Sequence, residues 1–167
     1  VLENIINLSS SDFADQSVNN WEELIINTNA VDVYLKYFDF LSAYNNSSRQ
    51  KFIDSAIDLA LETNNSELIE KIEKSFSDTE TLINFYFQLA QKTGDDKYYN
   101  KILSFNSGHA GSLFALFLKN FLTTENKLNY RNVKDLEDVL KYCDKKQKSA
   151  FLINICDLVL NVAYYDI

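Results

Sequence analysis

The sequence predicts an all-α protein, and three observations carry that prediction. The 167 residues include no Pro and only three Gly. Pro breaks helix interiors and punctuates loops, and Gly supplies positive-φ turns, so a chain this poor in both lacks the turn chemistry of a β-sandwich. Apolar residues also recur at three- and four-residue spacings, as in Val31, Tyr34, Leu35, Phe38 and Leu41. Finally, the breaks between periodic stretches are short runs of Asn, Ser and Asp, the residues that cap helices. With 46% of residues apolar, among them twelve Phe, ten Tyr and one Trp, there is enough apolar surface for a real core. The expectation is a single all-helical repeat domain over 1–167 with about nine or ten helices.

The elements follow in order. Leu2 to Leu8 is a short apolar stretch, followed by a helix from Asp12 to Asn27 that carries Trp21, Leu24 and Ile25. Asn29 can cap a helix from Ala30 to Tyr44, which Asn45-Asn46 ends. Ser47 with Gln50 reads as a capping box for a helix to about Thr63, and Asn64-Asn65 makes the next break. Ser66 to Phe76 is a shorter helix. Ser77 with Glu80 is a second capping box, opening a helix to Lys92 that Gly94 ends as a C′ glycine would. Asp96 to Phe105 and Ala110 to Leu122 come next. Asn132 can cap Val133 to Cys143, and a last long helix spans Lys145 to Tyr165.

These helices are of two kinds. Those at 66–76, 96–105 and 133–143 are short and amphipathic, with one wide polar face, whereas the others are apolar on most of their circumference. In the helix ending at Lys92 the polar exceptions form a narrow stripe, Thr81, Asn84, Gln88 and Gln91. In the last helix they are Asn154, Asp157 and Asn161. A helix apolar on most sides must be covered on most sides, so alternation of the two kinds implies two layers. Laying Leu59 to Ser77 over Leu89 to Ser107, a shift of 30 residues, aligns identical residues at Leu59/Leu89, Ala60/Ala90, Thr63/Thr93, Lys71/Lys101, Ile72/Ile102 and Ser77/Ser107. The break recurs at Thr124-Glu125-Asn126. A period near 30 that carries two helices is the mark of a helical-hairpin array.

The stretch LAQKTGDDKYYNKILSFNSGHAGSLFALF, positions 89–117, resembles a tetratricopeptide repeat: helix, Gly-Asp turn, second helix, and a third soon after. The resemblance implies a two-layer α-solenoid of tetratricopeptide-like type. It departs from the family pattern at Phe87 and Tyr99, which stand where small residues are expected, and in the missing closing proline. Bulk at those positions implies wider helix spacing and a divergent solenoid.

The inventory of residues narrows function. Sixteen Lys plus Arg against 24 Asp plus Glu give a net charge of −8 and a pI near 4.6. Phosphate neutralisation would need the cations gathered on one face. The densest cluster, Lys141, Lys145, Lys146 and Lys148, is mixed with Asp138 and Asp144 and reads as a solvated helix face or turn. No nucleic-acid partner is expected. Cys143 and Cys156 are too few and too far apart for a zinc knuckle, and Cys156, in an apolar run, reads as a buried thiol. The pairing of the two is left open, with a reducing, cytoplasmic compartment as the default. The chain begins at Val1 without any Met, which fits a processed chain or a fragment, so an exported mature form is the alternative.

The lone His109 limits imidazole chemistry to NSGHAGS, where Ser107 and Ser112 are near in sequence. A Ser/Gly/His cluster between apolar helices reads as an interhelical turn and N-cap. Asp95-Asp96 lacks a third acid at helical spacing. Glu67, Glu70 and Glu73 alternate with Lys71 and Lys74 in i,i+4 pairs and read as a salt-bridged outer face. No catalytic, metal or cofactor set is expected, and no stretch reaches the roughly 20 apolar residues of a membrane span.

The leading expectation is a protein-interaction or scaffold module. In the family it resembles, polar stripes of the first helices line a concave groove for a peptide or partner helix. Carried over, the resemblance implies Lys51, Asp54, Asp58, Thr81, Asn84, Gln88, Ser112 and Lys119 as partner-binding residues. The alternatives are a regulatory or enzymatic domain with a carboxylate or His109 site, and a structural segment of a larger solenoid.

Overall fold

In a computed structural model, the backbone of residues 11–43, 50–123 and 130–165 is described, with side chains over 20–41, 50–122 and 133–160. The described residues form α-helices and no strand. The helices are α1 (Ser11–Thr28), α2 (Val31–Ala43), α3 (Gln50–Thr63), α4 (Ser66–Ser75), α5 (Thr79–Thr93), α6 (Asp96–Phe105), α7 (Ala110–Thr123), α8 (Tyr130–Leu140) and α9 (Lys145–Tyr165). The expected segment Leu2–Leu8, the Asn45-Asn46 break, Ser47 of the expected capping box and the Thr124-Glu125-Asn126 break lie outside the described residues. None of the described helices is long and apolar enough to cross a membrane.

The chain divides into two compact units, Val1–Asp78 and Thr79–Ile167. In the first, α1 packs on α2 and α3, and α4 packs on α2 and α3. Consecutive helices thus pair as hairpins and alternate helices meet, which is a two-layer arrangement. Its centre is aromatic. Phe52, wholly buried on α3, meets Tyr34 in a stacked pair at 5.2 Å, Tyr37 edge-on at 4.9 Å and Phe38 at 5.0 Å. A buried phenol needs a hydrogen-bond partner, and both find one: the Tyr34 hydroxyl bonds Ser55 Oγ at 2.6 Å, and the Tyr37 hydroxyl donates to buried Glu22 at 3.0 Å. Asp39 of α2 forms an ion pair with Lys71 of α4. The expected Glu67–Lys71 pair is therefore replaced by one between helices, while Glu70–Lys74 forms as expected at 2.6 Å.

In the second unit α5, α6, α7 and α8 pack in succession. α5 also meets the start of α7, with Phe87 edge-on to His109 at 5.4 Å, and α9 stacks Phe151 flat on Phe114 of α7 at 3.7 Å. Ala110, Phe114, Phe117, Phe121, Leu136, Val139, Cys143 and Ile155 form one buried cluster.

Local chemistry sets the helix ends. Asn64 (φ 48°) and Gly94 (φ 68°) end α3 and α5 in the left-handed region, and their N–H groups donate to the Ala60 and Ala90 carbonyls. Asn65 and Asp95 then cap α4 and α6 by accepting from the N–H groups of Leu68 and Lys97. Two boundaries differ from expectation. α5 starts at Thr79, one residue later than a Ser77 cap implies, and α8 starts at Tyr130 and ends at Leu140, placing Asn132 inside the helix. Beyond Leu140 the chain tightens into i→i+3 bonds from Tyr142 and Cys143 to Val139 and Leu140.

Candidate functional site

α5 places its two kinds of residue on opposite sides. Phe85, Tyr86, Leu89 and Ala90 are buried, whereas Thr81, Asn84 and Gln88 are exposed at a three-four spacing that puts them on one face. Asn84 and Gln88 hydrogen-bond to none of the described residues. Each amide offers two N–H donors and a carbonyl acceptor on this face.

The other expected partner-binding residues fare differently. Lys51, Asp54 and Asp58 are exposed on α3. Lys51 is 3.2 Å from Glu23 of α1, and Asp54 accepts from Gln50 at 2.7 Å. Lys119 on α7 is exposed and pairs with Asp96 at 2.8 Å. Surface pairs of this kind hold their partners weakly, so both cations remain accessible. Ser112 is the correction. It is wholly buried because it occupies the third position of α7, directly under the side chain that caps that helix, and it has no surface to offer a partner.

That cap is His109. Its Nδ1 accepts the Ser112 backbone N–H at 3.2 Å and lies 2.9 Å from Ser112 Oγ. An Nδ1 that accepts an N–H carries no proton, so the neutral ring bears its proton on Nε2. Burial pulls the imidazole below its ordinary value, and a positive charge would also oppose the helix N-terminus. The only histidine thus works as a helix cap, in line with the turn-and-cap reading.

The remaining candidates for chemistry are also engaged. Asp95 caps α6 and pairs with Lys97 at 3.0 Å, and the Lys97 N–H and ammonium hold its carboxyl below the usual range. No group of three or more His, Cys, Asp or Glu suited to a metal occurs among the described residues. A shallow hollow of about 200 Å³ between α7 and α8 is lined by Leu113, Leu116, Phe117, Asn120, Phe121, Asp135 and Val139, with one carboxylate and one amide among otherwise apolar walls.

Cys156 corrects a second expectation. It is exposed, Cys143 is buried, and both are free thiols. Leu152, Ile153 and Leu160 are also exposed, at 43%, 60% and 66%, so among the described residues the last helix is not covered on most sides as its composition implied. Helix α9 carries a cap of its own. Asp144 accepts the Gln147 N–H at 2.8 Å and Gln147 accepts the Asp144 N–H at 2.9 Å, a reciprocal capping box legible as D-x-x-Q.

No family model, curated protein or solved structure matches the chain.

Proposed function

We propose that the protein is an interaction module, a divergent tetratricopeptide-like helical-hairpin array that binds a peptide or partner helix along the polar stripe of α5. The observation that carries this reading is the state of Asn84 and Gln88: exposed, side by side on one face, and without a hydrogen-bond partner among the described residues. Polar residues that served only to satisfy buried groups would be buried beside them. Amides left in water on a helix whose other side is core can instead bond the backbone or polar side chains of a bound chain.

Two further features support the reading. The left-handed turn and cap recur with a period of 30 residues, as a hairpin array requires. Phe87 and Tyr99, the bulky departures from the resembled pattern, meet edge-on at 6.0 Å, an aromatic contact in keeping with a divergent form. An enzymatic reading would rest on a carboxylate set or on His109, and the imidazole is occupied in capping α7.

The test is a pull-down with the immobilised full chain from the source cells, repeated with an Asn84→Ala, Gln88→Ala double variant. A retained protein that is lost with the variant supports the stripe; equal retention by both chains overturns it.

A further inference from the structure

Within each unit, a longer helix is covered by the short amphipathic helix that follows it. Helix α4 covers α3 with Leu68, Ile69 and Ile72, α6 covers α5 with Tyr98 and Ile102, and α8 covers α7 with Leu136 and Val139, all buried. Helix α9 follows α8 in the second unit. It joins α7 through the Phe114–Phe151 stack and the buried Ile155. Yet Leu152, Ile153, Cys156 and Leu160, which fall within about 100° of arc at 3.6 residues per turn, are exposed together. A contiguous apolar face of this kind marks an interaction site.

Charge says what fits. Lys145, Lys146 and Lys148 stand exposed in the first turn of α9 without an ion pair among the described residues. They add three positive charges to the positive end of the helix dipole, which the single Asp144 cap offsets only in part. The two-residue connections at Asn64-Asn65 and Gly94-Asp95 make each covering helix antiparallel to the one it covers. A helix docked on α9 in the same sense would bring its C-terminal end, negative by its own dipole, to those lysines.

We infer that the uncovered face of α9 docks an amphipathic helix of a partner protein, apolar at Leu152, Ile153, Cys156 and Leu160 and acidic at the C-terminal end that meets Lys145, Lys146 and Lys148. A second copy of this chain fits less well, because each copy carries a net charge of −8. This surface does not involve Asn84 or Gln88, so it stands or falls independently of the α5 stripe.

The probe is a fluorescein-labelled helical peptide of about 18 residues, roughly five turns, with Leu at i, i+3, i+4 and i+7 and Glu in its last two turns. A twin carries Lys in place of those Glu residues. Titrated with the full chain and followed by fluorescence anisotropy, the Glu peptide should bind at least tenfold more tightly than its twin. It should slow alkylation of Cys156, and Ile153→Glu with Leu160→Glu should weaken binding at least tenfold with no change in the unfolding midpoint. Equal binding of the two peptides, undiminished binding by the variant, or unprotected Cys156 would overturn the proposal. So would sedimentation of the unlabelled chain as a dimer that the same variant dissociates, because the occupant would then be a second copy.

Discussion

The α3–α4 and α5–α6 hairpins, 30 residues apart, share a frame and differ in what fills it. In both, a threonine hydroxyl donates at 2.7 Å to the carbonyl four residues back (Thr63 to Leu59, Thr93 to Leu89), a left-handed residue follows, and the next side chain caps the second helix. Leu59/Leu89, Ala60/Ala90 and Ile72/Ile102 are buried in both. Yet Tyr86 and Tyr98 stand where the first hairpin has Ala56 and Leu68. The matched lysines diverge too: Lys71 reaches Asp39 of α2, whereas Lys101 donates to the Tyr86 hydroxyl at 2.9 Å. The turn and the buried Leu-Ala pair are common to both hairpins. The remaining volume is negotiable so long as that face stays apolar, as is usual of cores.

If the frame is shared, equivalent substitutions should cost alike. The largest effect is expected at the wholly buried isoleucines: Ile72→Ala and Ile102→Ala should each destabilise by about 2–5 kcal/mol in urea unfolding. A large loss at one and a negligible loss at the other would break the equivalence. At the turns, Gly94→Ala should cost about 1–2 kcal/mol, because φ +68° crowds a Cβ, while Asn64→Gly should shift the thermal midpoint little, since both residues tolerate that region.

The caps separate the hairpins by pH. Asn65→Ala should cost about 1 kcal/mol at any pH. The Asp95 carboxylate is held below its ordinary 3.8 first by the Lys97 N–H, so its contribution is full well above pH 3.8 and is lost as pH falls through the lowered value. Comparing Asp95→Ala with the parent chain down an acid titration checks this; a loss unaltered by acid would contradict it. The smallest effect is expected at α7. Burial lowers His109 from 6.5, so the unfolded chain binds that proton more readily. Stability should be full above about pH 6.5 and decline below it, a slope His109→Asn should remove while keeping a cap.

Much of this was legible in the residues. The seven described helices from α1 to α7 follow the three-four spacing to within a few residues, because apolar period and Asn/Asp breaks agree there. What the sequence hid depends on neighbours distant in the chain. Lys71 has a carboxylate at i−4, Glu67, but Asp39 of α2 lies within reach once the hairpins pack. Ser112 shares the polar character of a stripe residue, yet the His109 ring covers it. Cys156 lies in an apolar run that reads as buried, and only the absence of a covering helix among the described residues exposes it. The stripe of Asn84 and Gln88 was visible as spacing, whereas its exposure required the fold.

On the reading proposed above, the buried side of α5 holds the fold while its exposed amides bind a partner. Calorimetric titration of the recovered partner into the full chain and into the Asn84→Ala, Gln88→Ala variant, with thermal unfolding of both chains, tests it most directly. The double variant should lose at least tenfold in affinity with its unfolding midpoint unchanged; unchanged affinity would rule out the α5 stripe.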